Sequence, residues 1–411
     1  MPTDANASRL AIAPRRRVLE LGLASLGALL ARHGRAQRAT APDAEVATEA
    51  YGTPAGFEAG VRRAILPGLT RTVHSSVSFT PLRALHGVIT PNGLVFERVH
   101  GGTPHIDPSQ HRLLVHGQVR QARLFRMADL MRMPSVSRVH FIECGANSSI
   151  EWGRPAQQSV QFTHGMLSCC EWTGVPLGTL LDELGVAPHA SWMLAEGADA
   201  ASLTRSIPLA RVRADVILAY AQNGEMLRPE QGYPLRLIVP GCQGVMSVKW
   251  LRRLEISDQP FFSREETSKY SDLMPDGRAR LFTIVQEAKS VITFPSPGDR
   301  LRPGEYEISG LAWSGRGKIR RVDVSCNGGR DWFEAKLDQP VRDKALSRFR
   351  AAWFWDGRSA LLQSRAQDDT GYVQPTYRQL VDVRGTRSIY HNNAIQTWHL
   401  VPNGELRNVR V

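Results

Sequence analysis

A cysteine at the end of a strand-like run is the residue of this sequence best placed to do chemistry. The segment HFIECGANSS extends from His140 to Ser149, and it passes directly after Cys144 from apolar strand residues into the glycine, asparagine and serine of a loop. The thiolate of Cys144 would be a soft metal ligand, and Gly145 would let a ligand approach the backbone. The alternative is a small buried filler, which the position alone favours.

The elements that must position this cysteine are short strands and helices. HRLLVHGQV and SRVHFIEC are predicted strands, LFRMADLMRM and PLGTLLDELGV are predicted helices, and ADVILAYAQNGEML is expected to turn back at its Asn-Gly pair. A helix is also expected from Phe57 to Leu66, ended by Pro-Gly. After about residue 290, short alternating segments bounded by glycine and aspartate indicate a β-sandwich.

These patterns predict an α+β chain with four parts. They are a signal segment over 1–36, an N-terminal extension over 37–79, a mixed domain over 80–285 and a sandwich domain over 286–411. The length of 411 residues, with 42% hydrophobic and 22% charged side chains, is sufficient for two or three domains with sizeable cores.

Residues 1–36 are predicted to be a twin-arginine export signal, which would place the mature protein in the periplasm. Arg15-Arg16-Arg17-Val18-Leu19 fits the twin-arginine pattern. The apolar stretch from Leu21 to Ala31 is about 11 residues long, too short to span a bilayer. Such signals export folded proteins, often with a cofactor already bound. The alternative is a basic amphipathic helix of the mature protein.

Charge and cysteine usage exclude several classes. Removing residues 1–36 takes away six arginines and two acids, which lowers the net charge from +12 to +8. Because no dense basic run is present, nucleic-acid binding is not predicted, and a mild positive field better suits an acidic protein partner. The sequence has no Cys-x-x-Cys-His segment for c-type haem. Its five cysteines leave at least one thiol free, and the pairing of the others stays open.

Several linked motifs, in order along residues 80–390, resemble the sulfite oxidase family of molybdenum oxidoreductases. The family motif Phe-x-Arg-x-His matches Phe96 to His100, and the Cys-Ala-Gly-Asn loop matches Cys144-Gly145-Ala146-Asn147. HGMLSCCEWTGVPLGTLL matches a further stretch, and YEISGLAWSGRGKIRRVDVSCNGGRDW resembles the immunoglobulin-like dimerisation domain of the family. The resemblance implies a molybdopterin-binding domain, the molybdenum-molybdopterin cofactor and a homodimer formed through the C-terminal domain.

The resemblance also implies the site residues. Cys144 would be the one protein ligand of molybdenum, while Arg98 and Tyr270 would be catalytic residues facing the substrate. A pterin with a phosphate and many hydrogen-bonding edges needs cations and donors. The implied cofactor contacts are Phe96, Arg98, His100, Asp199, Gln231, Arg236, Ser247, Val248 and Lys249. Gln231 stands where sulfite oxidases have a histidine. Without the resemblance, surface or core side chains would be the better interpretation of the charged residues.

The match departs from sulfite oxidases around the substrate. Two arginines that follow the cysteine loop in that family are replaced by Ser148 and Ser149, and a tryptophan is replaced by Phe162. Because losing one charged partner from an anion site costs a few kcal/mol, free sulfite is not expected to be the main substrate. Within the family, this pattern looks most like SoxC, the molybdenum subunit of sulfane dehydrogenases in thiosulfate oxidation.

This resemblance implies a reaction and its partners. The substrate would be a sulfane sulfur bound to a carrier protein like SoxYZ, and the electron acceptor would be a c-type cytochrome subunit like SoxD. Two alternatives stay open: a sulfite dehydrogenase acting on free sulfite, and a non-catalytic exported binding protein. The sequence also leaves open a homodimer or a heterotetramer with the cytochrome.

Overall fold

The computed structural model describes residues 54–66, 75–155 and 158–411, so the predicted signal over 1–36 lies outside the described residues. The helix expected from Phe57 to Leu66 is wrong. Within 54–66 the helical structure is one 3-10 turn at Gly56–Glu58. Ala64 instead exchanges two backbone hydrogen bonds of 2.8 Å with Phe79. Gly60 weakens a helix by about 1 kcal/mol, and pairing with a distant strand satisfies the backbone of Ala64 instead.

The first domain consists of short strands and four short helices among the described residues. The helices are α1 (Met127–Met131), α2 (Val160–His164), α3 (Leu177–Leu184) and α4 (Leu209–Asp215). The strands are β1 (Val77–Ser78), β2 (Glu97–Arg98), β3 (Arg112–Gly117), β4 (Arg123–Arg126), β5 (Val136–Glu143), β6 (Leu167–Pro176), β7 (Trp192–Gly197), β8 (Thr204–Pro208), β9 (Ile217–Gln222), β10 (Glu225–Met226), β11 (Arg236–Ile238), β12 (Leu251–Ser257), β13 (Asp272–Leu273) and β14 (Ala279–Arg280).

Two five-stranded sheets organise this domain. One has the order β10-β9-β6-β5, with β11 also paired to β9, and the other has the order β4-β3-β12-β7-β8. All pairs are antiparallel except β3 with β12. The predicted helix LFRMADLMRM is half wrong, because its first residues pair with β3 as β4 before α1 begins at Met127. Helix α3 is as predicted, with its four leucines buried and Gly185 ending it in the left-handed conformation at φ +66°.

The second domain is the predicted β-sandwich, which confirms the α+β fold class. Its sheets have the orders β15-β16-β20-β19 and β18-β17-β21-β22-β23, and one helix, α5 (Tyr377–Arg384), follows β21. The strands are β15 (Lys289–Phe294), β16 (Gly304–Trp313), β17 (Ile319–Ser325), β18 (Phe333–Glu334), β19 (Lys336–Leu337), β20 (Ser347–Trp355), β21 (Ala360–Asp368), β22 (Thr397–Leu400) and β23 (Leu406–Val409).

The sandwich core continues into the first domain. Phe141 on β5 and Cys169 on β6 pack in the same buried cluster as Val291 and Trp313 of the sandwich. The loop that follows β5 therefore begins at the end of a strand that packs on one side against the second domain. This packing defines the position of Cys144, the first residue after β5. No helix in the described residues is long and apolar enough to cross a membrane.

Candidate active site

All eleven residues predicted for the site line one open cavity, here called the basic cavity, which encloses about 790 Å³ of space with open solvent included. They are Phe96, Arg98, His100, Cys144, Asp199, Gln231, Arg236, Ser247, Val248, Lys249 and Tyr270. They come from β2 and the residues beside it, the loop after β5, the loop after β7, the turn before β11 and the start of β11, the segment before β12 and the turn after residue 265. The structure brings together side chains far apart in the sequence, while their individual roles remain predictions.

The loop after β5 is held at both ends, which fixes the direction of Cys144. The backbone N–H of Cys144 donates to the carbonyl of Met166 at 3.0 Å, and the N–H of Asn147 donates to the carbonyl of Cys144 at 2.8 Å. The side chain of Asn147 accepts from the N–H of Met166 at 3.1 Å and donates to Glu143 at 2.9 Å. Cys144 is half-buried, and burial raises the pKa of its thiol. A metal would hold this sulfur as the thiolate.

Arg236 and Gln231 form a deeply buried polar part of the cavity. Arg236 is 5% exposed. Its Nη1 donates to the backbone and side-chain oxygens of Gln231, both at 3.1 Å, and its Nε donates to the carbonyl of Ser247 at 3.3 Å. Gln231 Nε2 in turn donates to the carbonyl of Phe96 at 3.0 Å. Burial lowers the pKa of Arg236 to about 10, so it is still a cation at neutral pH.

Lys249 is a second cation that the fold directs along the cavity wall. Its Nζ donates to the carbonyls of Arg98 at 3.0 Å and Glu230 at 2.9 Å. Burial, and then the neighbouring Arg236, lower the pKa of Lys249 to about 7. Gly232 packs against it with φ +112°, and a Cβ there would lie 3.1 Å from the Lys249 Cα, so only glycine fits this close approach. An anion in the cavity would restore the full charge of Lys249.

His100 supplies a neutral ring beside these cations. Desolvation, and then the charges of Arg98 and Lys249, lower the pKa of His100 to about 4, although the open cavity exposes its ring. A neutral imidazole has one donor and one acceptor nitrogen. His100 can therefore hydrogen-bond a heterocyclic edge at neutral pH without adding charge.

Tyr270 closes another side of the cavity, and two aromatic or cationic groups hold its ring. It follows a π-helical turn at Glu265–Lys269, an irregularity that is frequent at functional sites. Its ring stacks on Tyr390 with centroids 4.5 Å apart, and the guanidinium of Arg205 lies 4.7 Å from the ring centroid. Burial raises the pKa of Tyr270 well above its usual value. The phenol therefore stays protonated and can donate a hydrogen bond.

A second cavity, here called the apolar chamber, shares Arg98 with the first. It encloses about 650 Å³ of space with open solvent included and is lined by Leu66, Val77, Phe79, Arg98, Ala146, Ser148, Ser149, Ile150, Phe162 and Met166. Phe79 and Phe162 pack edge to face with their centroids 5.5 Å apart. Arg98 is the one charged side chain among the described residues that line it. The chamber suits a neutral or weakly charged group better than a hydrated dianion.

Comparison with known proteins matches both domains. Residues 100–265 match the oxidoreductase molybdopterin binding domain, and residues 281–398 match the Mo-co oxidoreductase dimerisation domain. Sulfite oxidase of Gallus gallus is 34% identical over 318 residues, which cover 70% of this chain and 68% of that protein. Mitochondrial sulfite oxidase of Homo sapiens is 32% identical over 344 residues, covering 76% of this chain and 61% of that protein.

The chain belongs to the sulfite oxidase family of molybdenum oxidoreductases. Among solved structures, the sulfane dehydrogenase SoxCD from Paracoccus pantotrophus is similar, with 49% sequence identity and a TM-score of 0.86. The alignment covers 91% of this chain and 97% of that chain. The predicted family is thereby confirmed, and with it the molybdenum-molybdopterin cofactor of the family.

The donor set of the basic cavity fits the cofactor of this family. Cys144 offers one soft sulfur. Arg236 offers a buried cation and Lys249 a half-buried one for a phosphate, and the neutral His100 offers a hydrogen-bonding ring. Gln231 uses its side-chain amide to hold Arg236 and the Phe96 backbone.

Sequence reasoning missed several residues of the site. Arg205 is 1% exposed and forms a 3.0 Å ion pair with Glu266. Tyr390 comes from the sandwich domain, and Trp172 on β6 lies under the Arg236 guanidinium at 5.3 Å. The sequence does contain a signal for Trp172, because this residue follows the adjacent Cys169 and Cys170 on β6, the strand that pairs with β5. Arg205 and Tyr390 had none, since only tertiary packing places them beside Tyr270.

Proposed function

We propose that this chain is the molybdenum subunit of an exported sulfane dehydrogenase. It would oxidise a sulfane sulfur carried on a cysteine of a carrier protein and pass the electrons to a c-type cytochrome. The apolar chamber carries the proposal, because Ser148 and Ser149 line it where sulfite oxidases have arginines. The 49% identity to a sulfane dehydrogenase over nearly the whole of that chain supports the same substrate class.

A covalently carried substrate explains why the chamber needs little charge. Free sulfite must be captured from water, and its desolvation must be repaid by cations within the site. A carrier-bound sulfur is instead delivered by docking of the carrier, so remote contacts supply the binding free energy. Arg98, shared by both cavities, then has the role of orienting the sulfur rather than capturing an anion.

In this proposal the residues that line the basic cavity have different roles. Cys144 holds the metal, while Arg236, Lys249 and His100 bind the pterin and its phosphate. Tyr270 donates a hydrogen bond on the substrate side, where its raised pKa keeps the proton on the phenol. When bound, the cofactor supplies two-electron oxygen-atom transfer chemistry.

The partners follow from the same proposal. Because the sequence has no Cys-x-x-Cys-His segment, the electrons require a separate haem protein, a cytochrome subunit of the SoxD kind. The sulfur carrier would resemble SoxYZ, and the sandwich domain, which matches a dimerisation domain, would form a homodimer. The twin-arginine segment would export the folded, loaded protein to the periplasm.

Steady-state reduction of a c-type cytochrome by the purified holoenzyme tests the proposal. The two substrates are free sulfite and a carrier protein loaded with a cysteine persulfide. We expect kcat/KM for the persulfide-loaded carrier to exceed kcat/KM for sulfite by about a hundredfold. This is the ratio that the loss of one ionic contact to sulfite implies. A higher kcat/KM for free sulfite would identify a sulfite dehydrogenase, and a folded protein without molybdenum would identify a binding protein.

A further inference from the structure

A buried ion pair lies next to residues 144–149, here called the cysteine loop. Glu143 is the last residue of β5 and precedes Cys144, and Lys289 is the first residue of β15 in the sandwich domain. Their charged atoms are 2.9 Å apart, and their side chains are 2% and 3% exposed. Neither residue lines the basic cavity or the apolar chamber. The pair therefore belongs to neither the cofactor contacts nor the substrate contacts described above.

The hydrogen bonds of the pair connect both ends of the loop to the sandwich. Glu143 Oε1 accepts from Lys289 and from Asn147 Nδ2, both at 2.9 Å, and its Oε2 accepts from Trp313 Nε1 at 2.7 Å. Lys289 Nζ also donates to Ser148 Oγ at 3.0 Å. The two charged side chains thus hold residues on both sides of Cys144 and are tied to two strands of the second domain.

Further contacts from the sandwich reach the same loop. The backbone N–H of His391 donates to the carbonyl of Gly145 at 2.9 Å, and Asn392 Nδ2 donates to the carbonyl of Ser148 at 3.3 Å. Ser148 has φ +66°, a left-handed conformation that costs energy for a residue other than glycine. Its Oγ accepts from Lys289 and donates to the carbonyl of Thr163 at 2.9 Å, so these contacts hold the strained residue in place.

A fully buried ion pair is a poor way to gain stability, because desolvation offsets most of the attraction between the charges. It is an effective way to specify one geometry, since neither charge can leave its partner without a large penalty. A metal–sulfur bond needs that kind of precision in the position of its ligand. The location of the pair, one residue from the sulfur, matches this need.

We propose that Lys289 and Glu143 are positioning residues that orient the Cys144 sulfur toward the cofactor and make the sandwich domain part of the metal site. In this role the Lys289 charge is fully engaged by Glu143, so it cannot substitute for the arginines absent from positions 148 and 149. The inference depends on the family cofactor and not on which sulfur substrate the enzyme uses.

The test compares two ion pairs that both join the domains. Lys289→Met removes the ammonium and keeps the length of the side chain. Lys344→Met is the matched control, because Lys344 pairs with Asp215 across the same two domains and, within the part of the chain that the structure describes, its ion pairs are with Asp215 and Asp343 and not with the cysteine loop. The double variant Lys289→Met/Glu143→Gln removes both charges and so avoids leaving a buried carboxylate without a cation.

Two measurements separate positioning from general stability. Hydrogen exchange is followed by mass spectrometry on the full chain produced without cofactor, and the Mo(V) electron paramagnetic resonance spectrum is recorded on the holoenzyme. In Lys289→Met we expect the amides of residues 144–149 to exchange at least tenfold faster while those of β9 do not change, and we expect the Mo(V) g-values to shift. In Lys344→Met, both measurements should match the wild type.

If Lys289→Met does not fold, the double variant tests the proposal instead. Because Ser148 loses its donor in the double variant, its loop should still exchange faster than in Lys344→Met, and its Mo(V) spectrum should differ from the wild type. A folded Lys289→Met or double variant with wild-type loop exchange and a wild-type Mo(V) spectrum would overturn the proposal. Neither measurement involves turnover, so the result is independent of the substrate assigned above.

Discussion

The basic cavity and the apolar chamber share Arg98 but differ in the other charged side chains that line them. The basic cavity contains Arg236, Lys249 and His100, whose pKa values burial lowers. The chamber contains Phe79, Phe162 and other apolar side chains, together with Ser148 and Ser149. Desolvated cations are unfavourable until an anion reaches them. The difference teaches that the cavity that fits the cofactor is lined by two cations besides Arg98, whereas the chamber has none besides Arg98 among the described residues.

The largest expected effect comes from removing the sulfur at the edge of the basic cavity. Cys144→Ser should remove one sulfur from the molybdenum shell, because serine offers a hard oxygen instead of a soft donor. Activity should fall by three orders of magnitude or more. X-ray absorption at the molybdenum edge counts the sulfurs, and Cys326→Ser, at a half-buried thiol of the sandwich, is the control. An unchanged sulfur count in Cys144→Ser would remove Cys144 from the site.

Tyr270→Phe should have the next largest effect. We expect kcat to fall about a hundredfold, the usual contribution of a positioned proton donor, with the molybdenum content unchanged. Because the pKa of Tyr270 is raised, the phenol keeps its proton throughout the neutral range, so the alkaline limb of the pH profile should be the same in both proteins. Tyr390→Phe keeps the stacked ring and serves as the control. If both variants lost kcat equally, the loss would not be specific to the hydroxyl of Tyr270.

A charge placed in the apolar chamber should weaken the contrast between the two regions. Ser149→Arg adds a cation at a half-buried position of the chamber, whereas Ser148 is buried and bound to Lys289. We expect kcat/KM for free sulfite to rise about tenfold, equivalent to about 1.4 kcal/mol of transition-state stabilisation. We expect kcat/KM for the persulfide-loaded carrier to fall. Ser149→Gln adds similar length without charge and should change neither value. An equal rise in both variants would show that shape, not charge, sets the preference.

How much the sequence predicts depends on the range of the contacts involved. Helix α3 was predictable because its leucines repeat within a few residues, and the cysteine loop because strand and loop residues meet at Cys144. The expected helix after Phe57 failed because Ala64 pairs with Phe79, a contact that no local pattern contains. Within the site, family motifs identified the residues lining the cavity.

The missed residues share one physical cause. Arg205 and Tyr390 reach Tyr270 only through packing of β8 and of the loop before β22, and neither carries a local signal. The same holds for Lys289, which looks in the sequence like an ordinary solvated lysine at the start of a strand. Buried charges with distant partners are the features that a single sequence conceals best, because their partners are set by tertiary structure.

The smallest expected effect tests whether the basic cavity is strained without its cofactor. Because the folded chain lowers the pKa of Lys249 to about 7 from 10.5, it holds that proton less tightly than the unfolded chain does. The charged lysine therefore destabilises the cofactor-free protein fully below pH 7, and this cost disappears as the pH approaches 10.5. Lys249→Met should raise the Tm of the cofactor-free chain by a few degrees at pH 6 and by much less at pH 10, measured by thermal unfolding.

The matched control and the loaded protein complete this prediction. Lys318→Met removes an exposed lysine of the sandwich and should leave the Tm unchanged at both pH values. In the loaded protein the sign should reverse, because an anionic phosphate would stabilise the charged form of Lys249, and Lys249→Met should release cofactor faster than the wild type. A lower Tm at pH 6 in the cofactor-free variant would contradict this account, since it would mean that the lysine stabilises the empty fold through its bonds to the Arg98 and Glu230 carbonyls.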